Sequence, residues 1–477
     1  MGRSYGAWSC GERTRSGSRT RAVSRCARCC SRCLIVSPSR IRIAKLERAA
    51  GPELAEQLSA AVQRSGAGTQ AGASQESGRK QGGQPGHEGA ARKLIDDPDE
   101  TVAVCPEQCR KCGHELTGQG RVVGAAARHQ AIDLPESAVV TTEHQLLKVA
   151  CPRCGTHTRA VLPAGVERGA FGPRLRATVV MLAAMLMSRR ATALVLADMF
   201  GAALSTGSVE KILKDASASL QGPWEAIKRA VQAGDVAHAD KTSWRRAGQR
   251  MWLWAALSAT AACFVIDQTR ARSVARDLLG DFDGILISDR YGVYAMLDPA
   301  RRQVCLAHLA RNFAAHADRG GAPSRHGTLI KALLDQVMVL DGQARQNGRR
   351  LAWHDGELRP LHDRLMDALE AGERGRTPEL ATLCANVLDL WPALWNFTEH
   401  PDVDATNNRA ERAIRHGVLW RKMSTGTQTP DGDRFVERIL SIRETCPSQD
   451  RAMHPYLIDV HNARLTGQPI PTPLAAA

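Results

Sequence analysis

The most constraining feature of this 477-residue chain is a change of hydrophobic period near residue 233. Upstream, from Pro173, apolar residues recur at three and four, as at Leu175, Val179, Leu182, Met185 and Leu186. That is the spacing of a buried helix face. Downstream the period falls to two, the mark of a strand whose side chains alternate between faces. Val236 to Ala239, Met251 to Leu257 and Cys263 to Ile266 read as three strands, Arg272 to Leu279 as a helix, and Ile285 to Ile287 as a buried fourth strand. Val304 to Leu306 reads as a fifth strand running into a helix through Phe313. Helical spacing returns over 326–398, with Leu333, Leu334, Val337 and Leu340, then Leu383, Val387, Leu390 and Leu394, as inner faces. Trp391 and Trp395, also at helical spacing, are expected to pack in the core, and a further helix to start near Asn408.

Three carboxylates stand where this order makes them matter. Asp240 closes the first strand, Asp289 closes the fourth, and Glu411 lies in the helix that carries Asn408, Arg412 and Arg415. Three strands, a helix and a fourth strand, with acids ending strands one and four, is the ribonuclease-H-like α/β order. There the two strand ends are neighbours, and a later helix can bring up a third acid. Attack on an anionic phosphodiester needs bridging cations. Mg²⁺ takes hard oxygen ligands while keeping several waters, and two ions about 4 Å apart can activate the attacking oxygen and stabilise the leaving one.

Each acid also has a structural alternative on pattern alone. Asp289 could cap the next helix, Glu411 could pair with Arg415 four residues on, and Asp267, Asp281, Asp283, Glu399 and Asp404 compete for the role. Strand alternation directs Lys241 to the face opposite Asp240, so a small effect on metal binding is expected of it. Cys305 and His308 are expected as a packed thiol and a hydrogen-bonded imidazole near the acids. The chain has no Gly-rich phosphate loop, dinucleotide fingerprint, Gly-x-Ser-x-Gly elbow or His-Glu-x-x-His.

The fourteen cysteines are unevenly spread: five in the first 33 residues, five from Cys105 to Cys154, and four after that. A secreted disulfide scaffold is short and Cys-dense throughout, so that class is excluded. Cys109-x-x-Cys112 and Cys151-x-x-Cys154 form two knuckles, each able to aim two thiolates at one tetrahedral zinc ion. Gly113 and Gly155 follow them, as suits a turn with positive φ. Structural zinc on Cys109, Cys112, Cys151 and Cys154 is expected, with a hairpin around Ala138 to Val149 between the knuckles and Cys105, His114 and His157 as spare ligands. The metal-like run Cys26, Cys29, Cys30 and Cys33 reads as coincidence.

Charge is lopsided too. Lys and Arg exceed Asp and Glu by 15, but residues 1–50 carry net +10 of that. A pI near 9.5 is thus weak evidence for nucleic acid. The basic stretch reads as an arm on DNA, a disordered leader, or translated sequence upstream of the true start. The longest apolar run, Val179 to Met187, is far short of the roughly 18 residues of a membrane span. A soluble, cytoplasmic protein is expected.

The chain therefore divides into a Cys/Arg/Ser-rich leader (1–50), a short helix and Gly/Gln-rich linker (51–92), and a zinc-binding module (93–165). A helical region (166–232), a ribonuclease-H-like core (233–440) and a C-terminal tail (441–477) follow. In the helical region, Leu194 to Phe200, a Gly201 turn and Ser205 to Leu213 read as a helix-turn-helix or as a plain hairpin of a bundle. Ser205 would be the N-cap and Val209, Ile212 and Leu213 the inner face, and Lys211 and Lys214 are too few to decide between the two readings.

Over residues 78–470 the chain resembles a bacterial DDE transposase of the insertion-sequence-sixty-six family. The resemblance rests on Gly78 to Gly89, the Cys knuckles, Phe171-Gly-Pro-Arg-Leu, and Leu204-Ser-Thr-Gly-Ser-Val. It continues through Asp240-Lys-Thr-Ser-Trp-Arg, Met251-Trp-Leu-Trp, Gly284-Ile-Leu-Ile-Ser-Asp-Arg-Tyr and Arg302-Gln-Val-Cys-Leu-Ala-His-Leu-Ala-Arg311. Thr406-Asn-Asn-Arg-Ala-Glu-Arg-Ala-Ile-Arg, Trp420-Arg-Lys, Gly426-Thr-Gln and Arg434-Phe-Val-Glu-Arg-Ile-Leu complete it.

The resemblance implies that Asp240, Asp289 and Glu411 are the catalytic triad, holding two Mg²⁺ (or Mn²⁺), and that a helical block, 314–403, is inserted into the core. It implies a transposase that binds the terminal inverted repeats of its element, cuts to free a 3′-hydroxyl and joins it to target DNA. Arg412, Arg415, Arg421 and Lys422 would clamp phosphates, with a solvated basic helix face as the alternative. Other copies of the chain and small proteins of the same element are the expected partners, in the bacterial nucleoid. The chain departs from the family in having Asp240-Lys241-Thr242 where Asp-Glu-Thr is usual, and in its N-terminal stretch. A zinc-containing DNA-binding repressor with a silent acidic site and a junction-resolving nuclease are the competing readings.

Overall fold

The computed structural model describes Leu94 and residues 106–116, 139–318, 321–352 and 356–475. The leader, the helix and linker of 51–92, and Cys105 lie outside the described residues. Two units divide the chain, Met1–Ile132 and Asp133–Ala477. In the first, residues 106–116 fold back on themselves, with an isolated bridge between Gln108 and Glu115.

The second unit begins with a small hairpin, β1 (Lys148–Ala150) against β2 (His157–Arg159), registered Lys148 to Arg159 and Ala150 to His157. This corrects the expected hairpin of Ala138 to Val149. The alternation there is real, but the strand pairs forward, and the second Cys knuckle is itself the turn. Four helices follow: α1 (Pro173–Ala184), α2 (Arg189–Phe200), α3 (Thr206–Ser219) and α4 (Gln221–Gln232). Gly201 closes α2 at φ 66°, and Ser205 Oγ accepts from Ser208 N at 3.0 Å to start α3. Val209, Ile212 and Leu213 are buried as the spacing requires. Among the described residues, no helix is long and apolar enough to cross a membrane.

A mixed five-stranded sheet forms the centre of this unit. It comprises β3 (Val236–Arg246), β4 (Gln249–Leu257), β5 (Ala262–Asp267), β6 (Ile285–Ser288) and β7 (Arg302–Val304), with α5 (Arg272–Leu279) crossing from β5 to β6. The order is β5-β4-β3-β6-β7. β3, β4 and β5 are antiparallel, whereas β6 runs parallel to β3 and β7 parallel to β6. The pairing of β3 with β6 ends at His238 opposite Ile287. Close approach here needs glycine: a Cβ on Gly284 would lie 2.1 Å from the Asp235 carbonyl oxygen.

After β7 come α6 (Leu306–Ala317), α7 (Gly321–Gln346), α8 (Leu358–Glu373), α9 (Pro378–Leu388) and the short α10 (Asn396–Glu399). Then α11 (Asn408–Ser424), α12 (Pro430–Ser448) and α13 (Met453–Thr466) complete the unit. Alternation assigns the sheet faces. Ala237, Ala239, Trp254, Cys263 and Leu286 pack with residues of α1, α3, α4 and α5. On the other face, Leu253, Ala255 and Phe264 meet Ala410, Ala413 and Ile414 of α11, while Ile287 and Val304 meet α6 to α9. Trp391 and Trp395 pack edge to face at 5.4 Å in that second helical core.

The segment expected as a tail is largely structured. α12 runs straight through residue 440, and its buried Ile442, Thr445 and Cys446 lie beyond that boundary. It lies along the edge of the sheet, contributing Phe435, Ile439 and Ile442 to one core and Val436 and Leu440 to another. Three of its side chains replace a missing strand. Glu437 Oε1 accepts from Ile266 N (2.7 Å), Ser441 Oγ from Phe264 N (3.0 Å) and Thr445 Oγ1 from Ala262 N (3.0 Å). β7 is held in a similar way: Asn396 Nδ2 donates to the Arg302 carbonyl (2.6 Å), and Gln303 exchanges bonds with Leu394 and Phe397.

Candidate active site and cysteine knuckles

Asp240 sits on β3 two residues past the last pair with β6, and Asp289 directly follows β6. The parallel pairing of those strands puts both acids at the same end of the sheet. Glu411, in the first turn of α11, comes in from the packed helix. Asp240 lies within electrostatic reach of both Asp289 and Glu411. Burial pushes the Asp240 carboxyl up to about 6; the Asp289 and Glu411 charges add to the rise, while the Lys241 backbone N–H and ammonium oppose it.

Each acid has its own partners. Asp240 Oδ1 accepts from Lys241 N at 2.8 Å, and no ion pair of its carboxylate is found among the described residues. Asp289 Oδ1 accepts from Tyr291 N (3.2 Å) and its Oδ2 from Lys241 Nζ (2.8 Å). Glu411 Oε1 accepts from Arg311 Nη2 (2.7 Å) and lies 3.3 Å from His308 Nδ1. Glu411 therefore pairs with α6, and not with Arg415 on its own helix.

The contact of Lys241 with Asp289 corrects the expectation that Lys241 would point away. Alternation does place it on the Ala239 face. But β6 has ended by this level, so the four-carbon stem can pass the strand end and reach Asp289. The ammonium lies 4.3 Å from the Tyr291 ring centroid and 5.5 Å from that of Tyr294, with the Lys241 side chain 6% exposed.

Among the described residues, Cys305, His308 and Glu411 are the trio of ligand-type side chains whose candidate atoms all lie within 4.8 Å. The acids are more widely spread. Burial raises the Cys305 thiol above its ordinary value, and Sγ accepts from Asn407 N at 3.1 Å. Burial, then Arg311, lowers His308. A protonated thiol is a poor ligand, so Cys305 is the packed thiol the sequence suggests; the expected hydrogen bond of His308 is not found, its buried Nδ1 having no hydrogen-bond partner among the described residues.

Sequence reasoning misses Asn407. Fully buried, it donates from Nδ2 to the Ala239 carbonyl (2.8 Å), and its Oδ1 meets His238 Nδ1 at 3.1 Å. With its N–H on Cys305 Sγ, it ties β3 just before Asp240, the start of α6, and the start of α11. Its position beside a helix start reads as an ordinary cap; partners 168 and 102 residues away in sequence leave no local signal.

The basic residues of α11 divide. Arg412, Arg415 and Lys422 are exposed. Arg421 is engaged within the fold, donating from Nη1 to the carbonyl and hydroxyl of Ser243, so it anchors α11 to β3.

The two knuckles close alike. Gly113 N donates to the Cys109 carbonyl and Gly155 N to that of Cys151, each at 2.9 Å, with Gly113 at φ 72° and Gly155 at φ 71°. Hydrogen bonds lower the thiol pKa of Cys109, chiefly from the Cys112 and Lys111 backbone, and that of Cys154, chiefly from Thr156. Both turns favour thiolate, the form that binds metal.

Comparison with known families agrees with both regions. A family model described as the transposase IS66 family matches residues 168–434, and one described as the zinc-finger binding domain of transposase IS66 matches residues 106–155. An uncharacterized protein, y4hP, of Sinorhizobium fredii is 24% identical over 412 residues, covering 78% of this chain and 73% of that protein.

Proposed function

Since this chain belongs to the transposase IS66 family, we propose that it cuts DNA at the terminal repeats of its own element and joins the freed 3′-hydroxyl to target DNA. One observation carries this reading: β3 just past its pairing with β6, the end of β6 and the first turn of α11 bring Asp289 and Glu411 within electrostatic reach of Asp240. The sheet order β5-β4-β3-β6-β7, with Asp240 on β3 and Asp289 just after β6, supports a ribonuclease-H-like core. Residues 314–403 would then be a helical insertion between its last strand and the helix bearing Glu411.

The donor chemistry fits a hard divalent cation such as Mg²⁺. Asp240 and Glu411 would hold it beside Asp289, and when bound it would supply the positive charge that a reacting phosphate needs. The chain's own residues prepare that site. Asn407 fixes the strand carrying Asp240, while Arg311 orients Glu411. Exposed Arg412, Arg415 and Lys422 offer positive charge to the phosphates of bound DNA. Cys109, Cys112, Cys151 and Cys154 would hold a structural zinc ion in the module that the second family model covers.

Asp240→Asn and Glu411→Gln, each removing charge but little volume, should abolish Mg²⁺-dependent cleavage and joining of terminal-repeat DNA while leaving binding of those ends nearly intact. Wild-type cleavage by either variant would refute the assignment. One observation favours a second reading, a DNA-binding repressor with a silent site: the ion pair of Lys241 with Asp289. Repeat binding with no cleavage by the native chain would decide for it.

A further inference from the structure

Lys241 is a buried cation fixed on one of the three acids. Its side chain is 6% exposed, its ammonium donates to Asp289 Oδ2 at 2.8 Å, and Tyr291 and Tyr294 enclose it at 4.3 and 5.5 Å. Ring faces attract an ammonium, so this box suits the cation it holds. Asp289 also interacts with Arg302, which is buried on β7 at 2% exposure. Both Asp289 oxygens are already engaged, one by Lys241 and one by Tyr291 N. Asp240 and Glu411 differ: Asp240 has no ion pair among the described residues, and Glu411 takes its cation, Arg311, from an exposed position.

We propose that Lys241 is a tethered cation that takes the place of one of two divalent ions, so that the acidic site of this chain binds a single ion, through Asp240 and Glu411. A divalent ion arriving at Asp289 would have to share the tyrosine box with an ammonium or expel it. Like charges at such separations repel strongly where water is scarce, and an expelled ammonium would leave its partner rings and its carboxylate together. The inference rests on the acidic trio being a metal site.

The test is a count of bound Mn²⁺ by electron paramagnetic resonance and equilibrium dialysis, on full-length, zinc-supplied protein. The native chain should bind one Mn²⁺, Asp240→Asn none, and Lys241→Gln two. Lys241→Met, which keeps the stem packed on the tyrosines, should also bind two, and guards against a folding failure in the glutamine variant. Two ions in the native chain, or one in both folded Lys241 variants, would overturn the proposal while leaving the metal site standing. Mn²⁺ binding that Asp240→Asn leaves unchanged would instead overturn the reading of the acids on which it rests.

Discussion

Asn407 shows how much of this site depends on a residue without charge. Replacing it with alanine strands the Ala239 carbonyl and His238 Nδ1 in the interior and removes one of the side-chain ties between β3 and the start of α11. An unsatisfied buried polar group costs about 1–3 kcal/mol, so Asn407→Ala should lower stability by about 2–4 kcal/mol in urea unfolding. An unchanged midpoint would mean that water or local movement replaces both bonds. At this scale the position of Asp289 was legible, because a carboxylate ending a strand can be read from alternation and length; that of Asp240 was only partly so, since β3 does not close there but runs on to Arg246. Lys241 and Arg421 were not legible. Alternation gives the face a long side chain starts from, but not how far its stem reaches once the neighbouring strand has stopped.

Among the elements, α12 is the one whose own sequence hides it. Its residues 437, 441 and 445 advance by four along a helix, about 6.0 Å per step. The N–H groups they meet advance by two along β5, about 6.6 Å per step. That near match lets one helix hydrogen-bond three strand residues in succession. It also puts Glu, Ser and Thr on a buried face, which breaks the apolar periodicity and explains why the sequence reading ends the core at residue 440. Burial pushes the Glu437 carboxyl up to about 7, with its bond from Ile266 N opposing the rise. A carboxyl raised on folding contributes stability that is complete below its unfolded value of about 4.3 and is lost as pH rises through 7. Glu437→Gln keeps the acceptor without the charge, so it should be more stable than the native chain at pH 8.5, by about 1–3 kcal/mol. Near pH 5 the two should converge in thermal unfolding. Equal stability at the higher pH would show that the carboxylate is hydrated.

For the whole molecule, the knuckles and the sheet were legible by different routes. Paired Cys spacing needs no context, whereas the sheet needed the change of period and the acids together. The hairpin was misplaced because alternation marks a strand without naming its partner. Zinc removal by chelation, or Cys112→Ser, should unfold the two knuckles and the hairpin of β1 and β2, since a structural metal site contributes folding free energy directly. The helices and sheet of 173–475 should persist, as followed by limited proteolysis with metal analysis; a folded module free of metal would refute the zinc assignment. The capping of the sheet by α12 reaches further, into the history of each molecule. β5 is complete some 170 residues before Glu437, Ser441 and Thr445 exist to cover it. Until they leave the ribosome, a row of strand N–H groups stands open to any extended chain nearby, the usual start of edge-to-edge aggregation. The growing polypeptide must pass through that interval each time it is made, and a ribosome that stops short of α12 releases a sheet able to recruit its neighbours.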